Sequence, residues 1–590
     1  MNTERIAGRP LVLPVLVFTV AFVAFLPGLS GQFLDWDDGG NFLRNPNFRG
    51  LGWSNLRWMF TTTLMGHWIP LTWLTLGANY VIGGMAPWGY HLGNVLLHAA
   101  NAVVFYAVAR RLLAAGAGGE RAQGAVAWGA AAAAAVFAVH PLRVESVAWV
   151  TERRDVLSGF FFLLAVLGYL KAVERGAGGR LDSRWRAVSL GLFAAALSSK
   201  ASTMMLPVAL LVLDVYPLQR RGVGVTVLLR EKIGYFVLAG VGAVVALVAV
   251  RQGATVTGYA EYGVGARAVM TLYSLMFYPW KFLWPVDLSP MYELPARVEP
   301  LAWRFLLPMV AVPVITTALL LLRRRWPGGL AAWVYSALLV LPVSGAVHAG
   351  YQLAHDRYSY LSGLGFAVLA GAAVVWVIRA GARGVLRPWL EGVVLGAMVL
   401  MVATLGAGAW RQSRVWHDSE TLWRWAAGVD PACMVCQSNL GNLLLEQDRL
   451  AEAETAFRAA VTARPESAGP RNNLGAVLIR RGRYDEAAAQ FREAMRLAPD
   501  RIGGAFNLGL LYVVQGKFAE ALPLLRHVLA QRPDRPVARA ALSTALVKRA
   551  DELRREGRPG EADLLVRESA ALARDRSQTE AVPKAPPGSR

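Results

Sequence analysis

Residues 473–499 read NLGAVLIRRGRYDEAAAQFREAMRLAP, and this stretch recurs near the C-terminal end of the chain with a period of 34 residues. The triad Asn-Leu-Gly begins at Asn439, Asn473 and Asn507. The same spacing connects Ala453, Ala487 and Ala521, and also Pro465, Pro499 and Pro533. A fixed period of this size is typical of repeat architectures, in which each unit buries its apolar face against its neighbours. The sequence therefore predicts stacked helical repeats after about residue 410.

Each unit contains Asn-Leu-Gly, a short helix, a glycine-aromatic turn such as Gly482-Arg483-Tyr484, and a second helix that ends near a proline. This order resembles the tetratricopeptide repeat. Residues 416–431 resemble the second helix of an incomplete leading unit, and a degenerate fourth unit begins at Leu542, with its turn glycine Gly557 seven residues late. We expect this α-solenoid to bind an extended peptide or a partner helix rather than to catalyse a reaction.

Upstream of residue 410 the chain has the pattern of a polytopic membrane protein. Hydrophobic residues make up 55% of the whole sequence and charged residues only 17%, and about 20 apolar residues in a helix suffice to cross a bilayer. We predict eleven spans, at 11–29, 91–109, 125–141, 156–172, 185–198, 203–216, 233–250, 304–322, 331–348, 358–378 and 390–410. The stretch 268–285 is interrupted by Tyr278-Pro279-Trp280-Lys281, which favours a re-entrant or interfacial segment.

The first apolar run follows Arg5 and Arg9 and is longer than the apolar part of a secretory signal. No clear small-x-small cleavage site precedes Gln32, so we expect an uncleaved first transmembrane helix.

Lys and Arg in short loops set the orientation of membrane helices, with the basic loops on the cytoplasmic side. Basic clusters lie at Arg110-Arg111, in 171–186, at Arg220-Arg221, at 323–325 and in 379–387. An N-terminus inside the cell and eleven crossings place all of them in the cytoplasm, provided that 268–285 does not cross. The same parity places the repeats outside, together with the loops 30–90, 140–155, 251–303 and 348–358.

The formal net charge of +21 therefore indicates basic residues that orient the membrane helices. It does not indicate nucleic-acid binding, because these residues are divided among loops instead of being gathered on one face. The two cysteines, Cys433 and Cys436, lie at the start of the first repeat. Either they are small core residues of a helix or they form a local disulfide, as an oxidising compartment would allow. A structural metal site would need two further ligands, and no second cysteine pair exists.

Carboxylates cluster directly after the first span. Asp35, Asp37 and Asp38 lie beside Trp36 at the predicted headgroup level, where carboxylates are costly unless they pair, bind a metal or face a wet cavity; a solvated loop start is the alternative. Further polar residues are predicted on the same side: His67, His91, His140, Arg143, Glu145, Glu152, Arg153, Arg154, Asp155, His348, His355, Asp356, Arg357 and Tyr358. If folding gathers them, a carboxylate base would face arginines whose planar forks suit phosphate oxygens.

The order of these motifs resembles the transmembrane and tetratricopeptide-repeat-containing family, whose eukaryotic members are protein O-mannosyltransferases of the GT-C fold. The motifs are Asp37-Asp38 with Asn45-Pro46, His91-Leu92-Gly93-Asn94 through Asn101, His140-Pro141 with Glu145-Ser146-Val147, Arg154-Asp155-Val156-Leu157, and His355-Asp356-Arg357-Tyr358-Ser359-Tyr360-Leu361. The resemblance implies an all-α GT-C-like bundle, and a transferase that takes a sugar from a polyprenyl-phosphate carrier.

By that resemblance, Asp37 or Asp38 is the catalytic carboxylate, and which of the two acts as the base stays open. The residues expected to bind the lipid phosphate or the sugar are His91, His140, Glu145, Arg154, Asp155, His355, Arg357 and Tyr358. A divalent metal is compatible with the mixture of carboxylates and histidines, although no ligand spacing requires one. The acceptor is expected to be a protein or another envelope molecule on the extracytoplasmic face, recruited by the repeats.

Two alternatives belong to other functional classes. A non-catalytic membrane scaffold would organise an envelope complex through its repeats, and a transporter would carry charged residues in mid-span. Lys200 and Asp214 are candidates for such charges, but both fit the ends of spans, where long side chains reach the interface. The predicted division is a membrane domain over 1–410, repeats over 411–576 and a disordered tail over 577–590.

Overall fold

The computed structural model describes residues 11–117, 123–252, 262–345 and 352–581. These residues are almost entirely helical, and the strands β1 (Tyr292–Glu293) and β2 (Gln352–Ala354) form one short antiparallel pair. The chain divides into two compact units, residues 1–429 and 430–590. The all-α prediction, with a helical body followed by a repeat region, is confirmed.

The first unit contains seventeen described α-helices. They are α1 (Val12–Ala24), α2 (Trp53–Thr61), α3 (Pro70–Gly83), α4 (Pro87–Ala117), α5 (Gln123–Val139), α6 (Val144–Ala148), α7 (Arg153–Arg175), α8 (Ser183–Leu197), α9 (Leu206–Val215), α10 (Val225–Gln252), α11 (Val264–Leu283), α12 (Trp303–Leu321), α13 (Pro327–Val340), α14 (Ser359–Ser362), α15 (Leu364–Ala382), α16 (Pro388–Val415) and α17 (Ser419–Val429). Short 3-10 turns at Pro141–Arg143 and Val150–Glu152 flank α6.

Six helical segments of the described chain are long and apolar enough to cross a bilayer: Pro87–Gly116, Val150–Arg175, Val225–Gln252, Trp303–Leu321, Leu364–Ala382 and Pro388–Val415. A seventh candidate, Gln123–Val139 with Pro141–Ala148, is bent by 57°. Three of the other predicted spans coincide with shorter apolar segments, Val12–Ala24, Ala201–Val215 and Pro327–Val343. This is the composition of a membrane protein, and the count of eleven crossings stays a prediction.

Small residues set the packing at the centre of the first unit. In α5, alanines and glycines fill the face that lies against α15, and most of that helix is buried. A Cβ added to Gly129 would lie 2.6 Å from the carbonyl oxygen of Gly371, so the two backbones touch at this crossing. Close approach through small residues is the usual way in which apolar helices associate without a hydrophobic driving force. The bundle is therefore tight here, which positions the loops at its ends.

The second unit consists of four described helix pairs: α18 (Met434–Glu446) with α19 (Leu450–Ala463), α20 (Ala468–Arg480) with α21 (Tyr484–Leu497), α22 (Ile502–Val514) with α23 (Phe518–Gln531), and α24 (Pro536–Arg555) with α25 (Pro559–Ala581). The late position of Gly557 has a simple cause. Helix α24 has 20 residues where α20 has 13, which delays the turn by the same seven residues.

Glycine occurs at the repeated positions for two different physical reasons. A Cβ at Gly475 would lie 2.5 Å from the ring of Phe491, so the Asn-Leu-Gly glycine allows the two helices of one repeat to pack in direct contact. The turn glycines Gly482 and Gly516 adopt φ values of 74° and 72°, a left-handed conformation that glycine takes without steric cost. In the first repeat, Asp448 occupies this turn position with φ 61°.

The predicted domain boundaries near residues 410 and 576 stay predictions. Helix α17, predicted as the second helix of an incomplete leading repeat, belongs to the first compact unit. Its Leu422 and Trp423 are buried, and Trp423 packs edge-on against Trp36, 5.1 Å between ring centroids. The tail predicted to be disordered from residue 577 is still helical through Ala581; residues 582–590 lie outside the described range. Cys433 and Cys436 form a disulfide, the second of the two alternatives.

Candidate functional site

The acidic loop after α1 is fixed to the segment between α6 and α7 by Asp38. Its Oδ2 accepts a hydrogen bond from the Leu34 amide at 2.9 Å. Its Oδ1 accepts bonds from Trp149 Nε1 at 3.0 Å and Thr151 Oγ1 at 2.5 Å. The side chain is completely buried, and this burial raises the pKa of Asp38 to about 7 even though the hydrogen bonds from Thr151 and Leu34 lower it. Asp38 is thus a structural anchor of the loop.

Asp37 differs from its neighbour in both exposure and surroundings. Its side chain is half-buried and interacts electrostatically with the guanidinium groups of Arg154 and Arg357. Burial raises the pKa of Asp37, and the two arginines only partly offset this effect. A carboxylate with a raised pKa is a stronger base than an ordinary aspartate. Of the two carboxylates left open by the sequence, Asp37 is the more exposed one and the one next to arginines.

Next to Asp37 lies a group of paired charges, here called the ion cluster. Its members come from four separate segments: Glu145, Glu152, Arg154, Asp155, Lys200 and Arg357. Glu152 is at its centre and is fully buried. It accepts hydrogen bonds from Arg154, at 2.6 Å from Nη2 and 3.1 Å from Nε, and from Lys200 Nζ at 3.0 Å. Arg357 Nε lies 3.4 Å from the same carboxylate.

Arg357 joins this cluster to the aromatic residues beneath the acidic loop. Its guanidinium pairs with Glu145, and its backbone amide donates to Glu145 Oε2 at 3.0 Å. The same guanidinium lies 5.5 Å from the Trp149 ring, which stacks on Trp36 at 4.5 Å. Because Trp36 directly precedes Asp37, this column of rings ties the position of the aspartate to that of the arginine.

The cations of the cluster retain some access. The side chains of Lys200 and Arg357 are 16% and 10% exposed, whereas those of Glu145 and Glu152 are at most 1% exposed. A cavity of about 30 Å³ is lined by Asp155, Lys200, Arg357 and Tyr358, among others. Lys200 also bonds Asp155 Oδ1 at 2.5 Å, and Ser146 donates to Asp155 Oδ2 at 3.1 Å. Buried carboxylates therefore hold cations whose outer faces line a small opening.

The predicted site residues do not all meet. Glu145, Arg154, Asp155, His355, Arg357 and Tyr358 come together, and His355 Nδ1 lies 3.3 Å from Glu145 Oε1. His140 does not take part, because its Nε2 bonds the Phe282 carbonyl at 2.9 Å and its Nδ1 accepts from the Leu142 amide. His91 is buried against Gly31, where a Cβ would lie 3.0 Å from its Nε2. His348 lies outside the described residues.

Three residues at the site have no predicted role in catalysis or binding, although Glu152 is among the polar residues that the sequence places on this side. Glu152 and Lys200 provide an anion and a cation of the cluster, and Thr151 holds Asp38. The signal for Lys200 was present, because a lysine inside an apolar stretch is expensive unless it is paired. Its position near a predicted span end suggested interfacial exposure instead. Within the described ranges, no three His, Cys, Asp or Glu side chains are arranged as ligands for a metal ion.

The repeat region matches family models described as tetratricopeptide repeat, over residues 404–468 and 438–502 and again over 503–527. Among solved structures, the crystal structure of MamA is 16% identical and aligns with 27% of this chain and 89% of its own length. The TM-score of that alignment is 0.24.

Curated relatives carry the name protein O-mannosyl-transferase. Tmtc2 of Drosophila melanogaster is 36% identical over 188 residues, which are 30% of this chain and 19% of the relative. Human TMTC4 is 34% identical over 200 residues, which are 32% of this chain and 27% of the relative. The match thus spans about a quarter or less of these relatives' own length. Together, the repeats and these relatives confirm the resemblance to the transmembrane and tetratricopeptide-repeat-containing family that the sequence motifs indicated.

Proposed function

We propose that this protein is a multi-pass membrane glycosyltransferase that moves a sugar from a polyprenyl-phosphate carrier to a hydroxyl group of a protein or envelope acceptor. The observation that carries the proposal is the placement of Asp37, a half-buried carboxylate with a raised pKa, beside the cations of the ion cluster. The names of the relatives make mannose the first sugar to test.

The chemistry follows from this pairing. The acceptor hydroxyl oxygen attacks the anomeric carbon, and its proton passes to the Asp37 carboxylate. The bond between the anomeric carbon and the phosphate oxygen breaks, and the bonding electrons leave with the phosphate. A single displacement of this kind inverts the anomeric configuration. A positioned base contributes about 10²–10⁴-fold to such a step.

The leaving phosphate needs positive charge close to the membrane surface, because its lipid keeps it there. Lys200 and Arg357 offer their partly exposed faces, and an arginine can bind two phosphate oxygens at once. Both cations already have carboxylate partners, so the phosphate would share them with Glu145 and Glu152. Preorganised charge of this kind stabilises a developing anion without reorganisation during the reaction.

The topology belongs to the same proposal. Helices α4 and α7 begin near the ion cluster and carry basic residues towards their other ends, at Arg110-Arg111 and Arg175. Basic loops remain in the cytoplasm, so the cluster would face the extracytoplasmic side. The Cys433–Cys436 disulfide supports an oxidising compartment for the repeats. The repeats would bind the acceptor or a partner protein there.

The test replaces Asp37 with Asn, which keeps the shape but cannot accept the proton. We expect transfer to fall about 10²–10⁴-fold, with expression and donor binding retained. Asp35→Asn is the matched control, because Asp35 lies in the same loop with its side chain exposed. Membranes would be supplied with polyprenyl-phosphate mannose, and envelope proteins would be analysed by glycan mass spectrometry.

The same experiment addresses the non-catalytic scaffold. A scaffold would leave the glycan profile unchanged in Asp37→Asn and in a strain that lacks the protein. If Asp37→Asn transfers sugar at the wild-type rate while the deletion strain does not, Asp37 is not the base. Loss of transfer in Asp35→Asn as well would assign the effect to the fold of the loop instead of to proton transfer.

A further inference from the structure

A second cavity lies inside the first unit. It has a volume of about 530 Å³ and is lined by residues of α4, α7, α9, α13 and α15. That volume is within the range of small-molecule binding sites. The walls are mostly aliphatic and aromatic, with side chains such as Phe105, Leu163 and Val368. Here this space is called the apolar cleft.

The apolar cleft reaches the helix ends opposite the ion cluster. Helix α15 begins four residues after Tyr360 and ends at Ala382, and the cleft includes Arg379 and Arg383 at its far end. Helix α4 contributes Gly116, near its C-terminal end, and α13 contributes Pro327, its first residue. The mouth of the cleft is thus separated from Arg357 by the length of these helices.

The mouth is positively charged. Three arginines line it, Arg325, Arg379 and Arg383, and no Asp or Glu occurs among the cleft-lining residues of the described chain. Arg325 and Arg383 are exposed, whereas Arg379 already interacts within the protein. Trp326 and Tyr216 line the same end, and such aromatic residues prefer the headgroup level of a membrane. An aliphatic interior below an arginine rim complements an acyl chain below an anionic phosphate.

We propose that the apolar cleft binds an anionic phospholipid of the surrounding bilayer, with an acyl chain in the cleft and the headgroup phosphate at Arg325 and Arg383. Basic pockets between membrane helices on the cytoplasmic side bind such headgroups. The occupant differs from the sugar donor, because a donor positioned for Asp37 has its phosphate at the other end of the helices. The proposal does not depend on transferase activity.

The test is native mass spectrometry of the full-length, delipidated protein titrated with phosphatidylglycerol and, separately, with phosphatidylcholine. We expect one phosphatidylglycerol to bind at least about ten-fold more tightly than phosphatidylcholine, because charge-assisted contacts to the arginines are lost with the zwitterion. The double variant Arg325→Gln/Arg383→Gln should weaken phosphatidylglycerol binding by a similar factor. Arg323→Gln/Arg324→Gln removes the same charge from the same region without touching the cleft and should bind as the wild type does.

A filling variant tests the interior independently. Ala372 lines the cleft, and Ala372→Phe should block the acyl chain. The adjacent Ala373 is exposed and does not line it, so Ala373→Phe is the matched control. Equal affinity in the wild type, the arginine pair and Ala372→Phe would overturn the proposal, and so would equal binding of phosphatidylcholine. If undecaprenyl phosphate binds more tightly than phosphatidylglycerol at the same residues, the occupant of the cleft is the carrier lipid and not a phospholipid. If the control variants lose as much lipid affinity as the cleft variants, the loss comes from net charge or from misfolding, and the proposal is wrong.

Discussion

Two lysines in the first unit each join two carboxylates, and they have very different surroundings. Lys200 bonds Glu152 at 3.0 Å and Asp155 at 2.5 Å in the ion cluster, and its side chain is 16% exposed. Lys232 pairs with Asp214 and, at 3.4 Å, with Glu231, and its side chain is fully buried. The second group, completed by Tyr169 and Arg220, is called the closed network.

The difference in exposure distinguishes Lys200, which a ligand can reach, from Lys232, which holds helices together. In the closed network, Arg220 donates to both oxygens of Glu231, at 2.9 and 3.0 Å, and Tyr169 donates to Asp214 at 2.6 Å. Nearly all of its polar atoms are used within the protein. The ion cluster has the same kinds of pairs, but it borders a cavity and Asp37. Similar chemistry therefore serves structure at one place and, as proposed, phosphate binding at the other.

The largest expected effect is on stability, in the closed network. Lys232→Gln leaves the buried Asp214 with less positive charge, and breaking a buried ion pair costs about 3–5 kcal/mol. We expect a clearly lower midpoint of thermal unfolding in detergent, measured by intrinsic fluorescence. The transfer rate of the protein that remains folded should not change. A stability equal to that of the wild type would show that this network is not a structural clamp.

The second prediction concerns pH at the ion-cluster end. Burial raises the folded pKa of Asp38 to about 7, above the unfolded value of about 3.9. The folded state thus binds the proton more tightly. Its stabilising contribution is complete below about pH 4 and is lost as pH rises towards 7, by about 1.4 kcal/mol for each unit of pKa difference.

Asp38→Asn cannot titrate, so this pH-dependent loss should disappear from the variant. The measurement is the thermal unfolding midpoint of wild type and variant between pH 4.5 and 7.5. We expect the difference in stability between wild type and variant to shift in favour of the variant as pH rises. A constant difference across that range would contradict the raised pKa.

The repeats could be predicted from the sequence more completely than the candidate site. The repeats were predictable because their signals are local: Gly475 and Gly482 recur for reasons within one helix pair. The ion cluster joins Glu145 to Arg357, more than two hundred residues away, and only the order of motifs pointed to it.

Histidines are the site residues whose role a sequence defines least. His140 satisfies both ring nitrogens with backbone groups, and a sequence cannot distinguish such a histidine from a ligand-binding one. The sequence places Lys200 and Asp214 at solvated span ends, because it does not show which side chains pair with them. The structure pairs both, one beside a cavity and one in the closed network.

The third prediction is the counterpart of Lys232→Gln. Lys200→Gln removes the same charge from the ion cluster, where Arg154 still pairs with Glu152 and Ser146 with Asp155. We expect transfer to fall about 10²-fold, as when one preorganised donor to a developing anion is removed. The unfolding midpoint should fall less than in Lys232→Gln. If Lys200→Gln lowers stability as much as Lys232→Gln and leaves the transfer rate of folded protein unchanged, the two networks do not differ in function.

The smallest expected effect comes from exchanging arginine for lysine, which keeps the charge and removes the fork. Arg357→Lys should weaken binding of polyprenyl-phosphate mannose about ten-fold, equivalent to about 1.4 kcal/mol, because one ammonium cannot hold two phosphate oxygens in a plane. Arg220→Lys makes the same exchange in the closed network, where the fork holds Glu231. It should lower the unfolding midpoint and leave donor affinity unchanged. Donor titration of both purified variants, followed by protein fluorescence, provides the measurement. If Arg357→Lys binds the donor as the wild type does, Arg357 is a structural partner of Glu145, and the ion cluster is closed in the same sense as the network around Lys232.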